Sequence, residues 1–109
     1  MSDTMTQEQL EAVMGLIINA GNAKSDAMEA IQVAKAGDFV LAKEKLEAAD
    51  QALVEAHHSQ TGLLTEEASG NPMNVTLLAV HSQDHLMTSI TFKDLATEVV
   101  EIYERLGNE

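Results

Sequence analysis

The 109-residue chain contains no cysteine and no tryptophan, and only one proline, two phenylalanines and one tyrosine. The lack of cysteine excludes disulfides, thiol chemistry and any zinc site with cysteine ligands. The scarcity of aromatic residues, beside many helix formers, favours an all-α protein over a sheet protein. The length predicts a single domain covering residues 1–109.

Positive charge is also scarce, with 6 lysines and arginines against 18 acidic residues and a formal net charge of −12. Such a chain lacks the basic footprint that nucleic acids or anionic membrane surfaces require, and it is better suited to basic partner proteins. Its longest apolar run, residues 12–18, is too short to cross a bilayer. The first residues lack the pattern of a signal peptide, so we expect a soluble, cytoplasmic protein.

Helix-breaking signals occur at only a few places. Gly37 followed by Asp38 is typical of one helix ending and another beginning, and Ser69–Pro72 is a loop cluster. Thr6 with Gln9 resembles a capping box, and Gly107 fits the end of the last helix. These signals predict helices at about 7–36, 39–67 and 73–106.

Each predicted helix repeats its apolar residues at alternating steps of three and four. The predicted seams are Leu10, Met14, Ile17, Gly21, Lys24, Met28 and Ile31 in the first helix; Phe39, Ala42, Leu46, Ala49, Leu53, Ala56, Gln60 and Leu63 in the second; and Leu78, His81, His85, Thr88, Phe92, Leu95, Val99, Ile102 and Leu106 in the third. This repeat favours long helices packed side by side, and the short loops favour antiparallel neighbours. We therefore predict an antiparallel, up-down-up three-helix bundle.

The first half of the third helix, residues 75–90, is apolar nearly all round. A helix that is apolar on every side is buried on every side, and two partner helices in the same chain cannot easily cover it. We therefore expect burial against other subunits. The polar residues of this half, His81, Gln83, Asp84 and His85, would then lie at or near a subunit interface.

His81, Asp84 and His85 share one helix face, because they stand at positions i, i+3 and i+4. Three interpretations stay open: hydrogen-bonded core histidines, a transition-metal site, and a nucleophilic His81 that accepts a phosphoryl group. In the last case Gln83, Asp84 or His85 would position the ring. Zinc hydrolysis is disfavoured, because the segment reads His-Ser-Gln-Asp-His and lacks the glutamate base of His-Glu-x-x-His.

The adjacent pair His57 and His58 in the second helix is more ambiguous. Adjacent side chains point roughly 100° apart on a helix, so at most one of the two can face the interior. We assign both histidines structural or solvated roles ahead of catalysis. No glycine-rich nucleotide loop is present.

Several segments together resemble the lactose/cellobiose (chitobiose) type of enzyme IIA in the bacterial phosphoenolpyruvate-dependent sugar phosphotransferase system. The matching segments are Gly15–Asn19, Ala36–Phe39, Glu55–His57 with Gln60–Thr61, and Val80–Thr88. They follow one another over almost the whole chain, and the last is the most specific. Ser82 is a departure, since many relatives have alanine there.

The resemblance implies a phosphoryl carrier that works in the uptake of a β-linked disaccharide such as cellobiose, chitobiose or lactose. It implies phosphorylation of His81 at Nε2, with the phosphohistidine carrier protein HPr as donor and a cysteine of the cognate enzyme IIB as acceptor. It makes the protein a phosphotransferase component that is not self-sufficient, and Gln83 and His85 are its candidate supporting residues. The alternative is a non-catalytic metal-binding helical oligomer or a regulatory interaction protein.

The resemblance also implies a homotrimer of nine helices, with Asp84 near the threefold axis beside a divalent metal, Mg²⁺, one per trimer. Three carboxylates at one axis repel one another unless a cation or shared protons intervene. The metal would therefore serve assembly rather than chemistry. The sugar is not predicted, because selectivity is expected to reside in the membrane component.

Overall fold

Three long α-helices make up the part of the chain that the computed structural model describes, residues 5–108. They are α1 (Gln7–Lys35), α2 (Phe39–Ala68) and α3 (Leu77–Gly107), and these residues contain no strand. The predicted all-α class is confirmed. None of the three helices combines the length and apolarity that a membrane span needs.

The first two helices begin where the sequence predicts, because their caps satisfy otherwise free backbone N–H groups. The Gln9 N–H donates to Thr6 Oγ1 over 3.1 Å, and the Thr6 N–H donates to Gln9 Oε1 over 3.0 Å, which is a complete capping box. The Leu41 N–H donates to Asp38 Oδ1 over 3.1 Å at the start of α2. Gly37 adopts a φ of 95°, which lets the chain reverse between α1 and α2.

The third helix begins at Leu77, so the predicted start near residue 73 is four residues too early. Thr76 is the N-cap in an extended conformation, and its Oγ1 accepts the Ala79 N–H over 3.1 Å. The segment from Pro72 to Thr76 stays outside the helix. The difference has a local cause: the loop does not end directly after Pro72, because the Thr76 hydroxyl supplies the cap.

Contacts between charged residues show the relative direction of the helices. Lys45, near the start of α2, lies 3.7 Å from Glu29 in the last part of α1, and Lys43 lies 2.9 Å from Glu104 near the end of α3. The start of α2 therefore lies beside the ends of both other helices. The arrangement is the predicted up-down-up three-helix bundle, with α1 parallel to α3.

The core is built largely from small side chains. The buried residues are Val13, Leu16, Ala20, Ala23, Ala27, Ala30 and Ala34 in α1; Ala42, Leu46, Ala49 and Ala56 in α2; and Ala79, Ser82, Leu86, Ser89, Ala96 and Val100 in α3. Alanine and serine let helix backbones approach closely and lose little side-chain entropy on burial. The single chain therefore packs its helices closely while leaving many of its large apolar side chains outside.

The predicted seam of α2 is confirmed, but those of α1 and α3 are wrong for the single chain. On α3 the exposed seam residues are Leu78, His81, Thr88, Leu95, Ile102 and Leu106, and on α1 they are Leu10, Met14, Lys24 and Met28. The core instead takes the neighbouring rows of smaller residues. The α1 and α3 seams meet at Gly21 and His85, and we call the outward residues of these two seams the α1/α3 face.

Candidate functional site

His81 is exposed on the α1/α3 face, four residues after Leu77, where α3 begins. Its imidazole stacks on that of His85, with ring centroids 5.6 Å apart and the ring planes 14° from parallel. This is the offset geometry that planar π systems prefer. The prediction that the two histidines share a helix face is confirmed, and the stacking restricts the orientation of the more exposed ring.

His85 is half-buried and reaches from α3 to the backbone of α1. A Cβ atom added to Gly21 would lie 3.3 Å from His85 Nε2, so this ring stands directly over the glycine. His85 is therefore held between α1 on one side and the ring of His81 on the other. The core-histidine interpretation describes His85 in part, but it does not describe His81.

Asp84 is exposed, and within residues 5–108 its carboxylate forms no ion pair or side-chain hydrogen bond. Thr88 Oγ1 donates to the Asp84 backbone carbonyl over 2.8 Å, which is local helix bonding. Carboxylate oxygens suit Mg²⁺. However, no group of three potential ligands gathers in the described part of one chain, so these residues fit a metal only if several chains contribute.

Gln83 points away from His81, because residues two apart lie roughly 200° apart around a helix. Its Oε1 accepts a hydrogen bond of 2.6 Å from Gln60 Nε2 on α2, and both side chains are half-buried. Within residues 5–108, Gln83 is therefore turned away from His81, and its supporting role stays a prediction. Sequence reasoning missed this pair, although Gln60 interrupts an otherwise apolar seam.

Ser82 is fully buried beside the site, and its Oγ donates to the Ala79 carbonyl over 2.6 Å. A buried hydroxyl is costly when it lacks a partner, and this one bonds its own helix. A serine in place of alanine is therefore accommodated at this position.

His57 and His58 are both exposed on α2, in agreement with solvated roles. His58 helps to line a cavity of about 760 Å³ between α2 and the start of α1, and His81, Asp84 and His85 take no part in that cavity. His81 and Asp84 are instead exposed on the helix surface. An open surface suits a macromolecular partner better than a small substrate.

Fixed positive charge is missing from the half of the bundle that carries His81. No lysine or arginine occurs in residues 1–23 or 46–92. Lys93 Nζ is engaged 2.7 Å from Asp50 Oδ1, and Lys24 lies roughly 10 Å farther along the bundle axis than His81 at a rise of ~1.5 Å per residue. Within residues 46–92, the segment around His81, an anionic group on the ring would find no lysine or arginine.

Comparison with known proteins agrees with the geometry. Residues 11–104 match the family described as "PTS system, Lactose/Cellobiose specific IIA subunit". The chain is 46% identical over 105 residues to the lichenan-specific phosphotransferase enzyme IIA component of Bacillus subtilis, covering 96% of each chain.

Two solved structures are also similar. The cellobiose-specific enzyme IIA of Bacillus anthracis has a TM-score of 0.92 and 43% identity, over 97% of this chain and 96% of that one. The chitobiose IIA of Escherichia coli, solved in solution in complex with HPr, has a TM-score of 0.80 and 46% identity, over 94% of this chain and 99% of that one.

Proposed function

Because the chain belongs to the lactose/cellobiose-specific IIA family of the phosphotransferase system, we propose that it relays a phosphoryl group through His81 during the uptake of a β-linked disaccharide. The donor is HPr, the partner present in the complex of the chitobiose relative. The acceptor is a cysteine of the cognate enzyme IIB. The observation that carries the proposal is the exposed His81 ring, held from behind by His85.

The transfer needs few groups from this chain. His81 Nε2 attacks the phosphorus of phosphorylated HPr in line with the P–N bond that breaks. The HPr imidazole leaves as it takes up one proton, and His81 gives up one proton from its other ring nitrogen. In the second step the enzyme IIB thiolate attacks the phosphorus, and His81 leaves as a neutral imidazole once it takes up a proton. Such transfers depend mainly on positioning and charge stabilisation.

The lack of lysine and arginine around His81 is consistent with a protein that accepts a phosphoryl group and passes it on. A lysine or arginine beside His81 would form a charge-assisted hydrogen bond with the phosphoryl group and hold it in place. Residues 46–92 contain neither, so the partner proteins or another subunit supply whatever positive charge the transfer needs. The acidic surface of this chain, with a net charge of −12, attracts a basic partner.

The proposed assembly is a homotrimer joined through the apolar part of the α1/α3 face around Leu95 and Ile102, so that His81 stays accessible to HPr. Large apolar residues such as Leu95 and Ile102 are 60% and 57% exposed in the single chain, and an apolar surface of this extent is typical of a subunit interface. Three copies of Asp84 would meet near the threefold axis. One Mg²⁺ per trimer would neutralise them, in a role separate from phosphoryl transfer.

Labelling the unmodified protein tests the function. Incubation with radiolabelled phosphoenolpyruvate and the two general phosphotransferase proteins should place about one acid-labile phosphate on each chain, because a phosphohistidine hydrolyses in acid. Omitting HPr should abolish the label. A chain that acquires no label, while a known enzyme IIA in the same mixture does, would instead support a non-catalytic oligomer.

Replacing Asp84 tests the axial role. The Asp84→Leu variant should remain a trimer without added metal, because it removes three mutually repelling carboxylates. Chelation with EDTA should lower the thermal midpoint of the unmodified protein more than that of the variant, as calorimetry can measure. Dissociation of the variant into monomers at unchanged helicity would contradict this arrangement.

The cytoplasmic location stays a prediction, and the identity of the sugar is not predicted. The relatives named above are specific for lichenan, cellobiose and chitobiose, and this chain is similar to all three. The specificity of the system is therefore expected in the membrane component.

A further inference from the structure

Gly21 lies in the middle of α1, where the backbone does not require a glycine. The positive φ angles in the described chain belong to Gly37 and Gly70, and Gly21 is in regular helix. A glycine inside a helix is less stable than an alanine, because it loses more conformational freedom on folding. The reason for a glycine at this position is therefore the space that a side chain would occupy.

His85 fills the space above Gly21. A Cβ atom at position 21 would lie 3.3 Å from His85 Nε2, closer than an ordinary van der Waals contact. Gly15, six residues earlier on the same helix, offers a comparison: a Cβ atom there would lie 3.5 Å from Ser59 Oγ, which is an ordinary contact. A methyl group therefore fits at position 15 and displaces a ring at position 21.

His85 is also the ring on which His81 stacks, with centroids 5.6 Å apart. Moving His85 outward from α1 moves the surface that orients His81. We infer that Gly21 is a positioning residue for phosphoryl transfer. Because glycine has no side chain, the His85 ring can stand against α1 at this point, and the His81 ring is aligned against His85. This inference rests on the proposed phosphorylation of His81.

The test compares Gly21→Ala with Gly15→Ala. Gly15→Ala should raise the melting temperature, because alanine stabilises a helix and a methyl group fits there, and Gly21→Ala should keep the helix content of the unmodified protein. Gly21→Ala should nevertheless lower kcat for transfer from phosphorylated HPr by about threefold to tenfold, since displacements of a fraction of an ångström disturb in-line geometry. Its KM for phosphorylated HPr should stay unchanged, and Gly15→Ala should transfer at the rate of the unmodified protein.

A double-variant cycle tests whether the effect passes through His85. The His85→Ala change removes the ring, so adding Gly21→Ala to it should cause no further loss. The His81 and His85 imidazole resonances in NMR spectra should shift in Gly21→Ala and stay in place in Gly15→Ala. An additive loss in the double variant would overturn the inference.

Two further results would overturn it: transfer by Gly21→Ala at the unmodified rate, or a change in its sedimentation that shows altered assembly. In the latter case the glycine serves packing between chains. Failure of the proposed function is distinguishable, because it appears as absence of label on the unmodified chain. Failure of this inference appears with the unmodified chain fully labelled.

Discussion

A His81→Ala variant should acquire no acid-labile phosphate under conditions that label the unmodified chain completely. The substitution removes the nucleophilic nitrogen, and no neighbouring group replaces it: Asp84 and Thr88 lack a comparable nucleophile at neutral pH, and His85 is turned toward α1. Because the His81 side chain is exposed, its removal should cost little stability. Phosphate incorporation per chain, measured after separation from HPr, gives the result directly.

Other histidines of the chain provide matched controls. His57→Ala and His58→Ala alter exposed imidazoles on α2 and should label like the unmodified protein. His85→Ala should reach the same final stoichiometry more slowly, because it removes the ring that orients His81 and leaves the nucleophile. Label that persists in His81→Ala would refute the assignment of the site, and its transfer to a second histidine would appear in peptide mapping.

The second large effect should follow from placing charge on the α1/α3 face. A variant carrying both Leu95→Glu and Ile102→Glu should sediment as a single chain of 11.7 kDa, whereas the unmodified protein should sediment at three times that mass. Burying each of these side chains at an interface stabilises it by roughly 1.5–3 kcal/mol, and burying an unpaired carboxylate costs several kcal/mol. Both residues lie almost four helical turns or more from His81, so the change acts through assembly.

Val54→Glu provides the control for this variant. Val54 is 53% exposed on α2, outside the α1/α3 face, and a glutamate there should leave the trimer intact. Circular dichroism should show the same helix content in all three proteins, since neither substitution enters the core of the single chain. A trimer that survives both glutamates on α3, or one that Val54→Glu disrupts, would place the interface elsewhere.

The helices themselves could be predicted closely because their determinants are local. Thr6 with Gln9, and Gly37 followed by Asp38, act through hydrogen bonds and backbone preferences within a few residues. The start of α3 differs from the prediction for a local reason as well. Pro72 and the Thr76 cap can each mark the end of the loop, and they stand four residues apart.

Hydrophobicity alone could not show which face of each helix turns toward the core of the chain. Large apolar residues such as Leu95 and Ile102 form a regular seam in the sequence, yet the chain buries Ala96 and Val100 instead. Periodicity shows that a stripe will be covered, but it does not show whether the same chain or another one covers it. The small residues take the inner position because they allow close packing of α1 against α3.

The geometry of the candidate site also depends partly on the local sequence and partly on how the helices pack. The sequence by itself determined the helical class, the break points of the first two helices, and the placing of His81, Asp84 and His85 on one helix face, because the helical period fixes which neighbours share a side. Only the tertiary structure turned Gln83 toward Gln60 on α2, and only it set His85 over Gly21 of α1. Those contacts join residues far apart in the chain, and their geometry depends on how closely and at what rotation the helices pack.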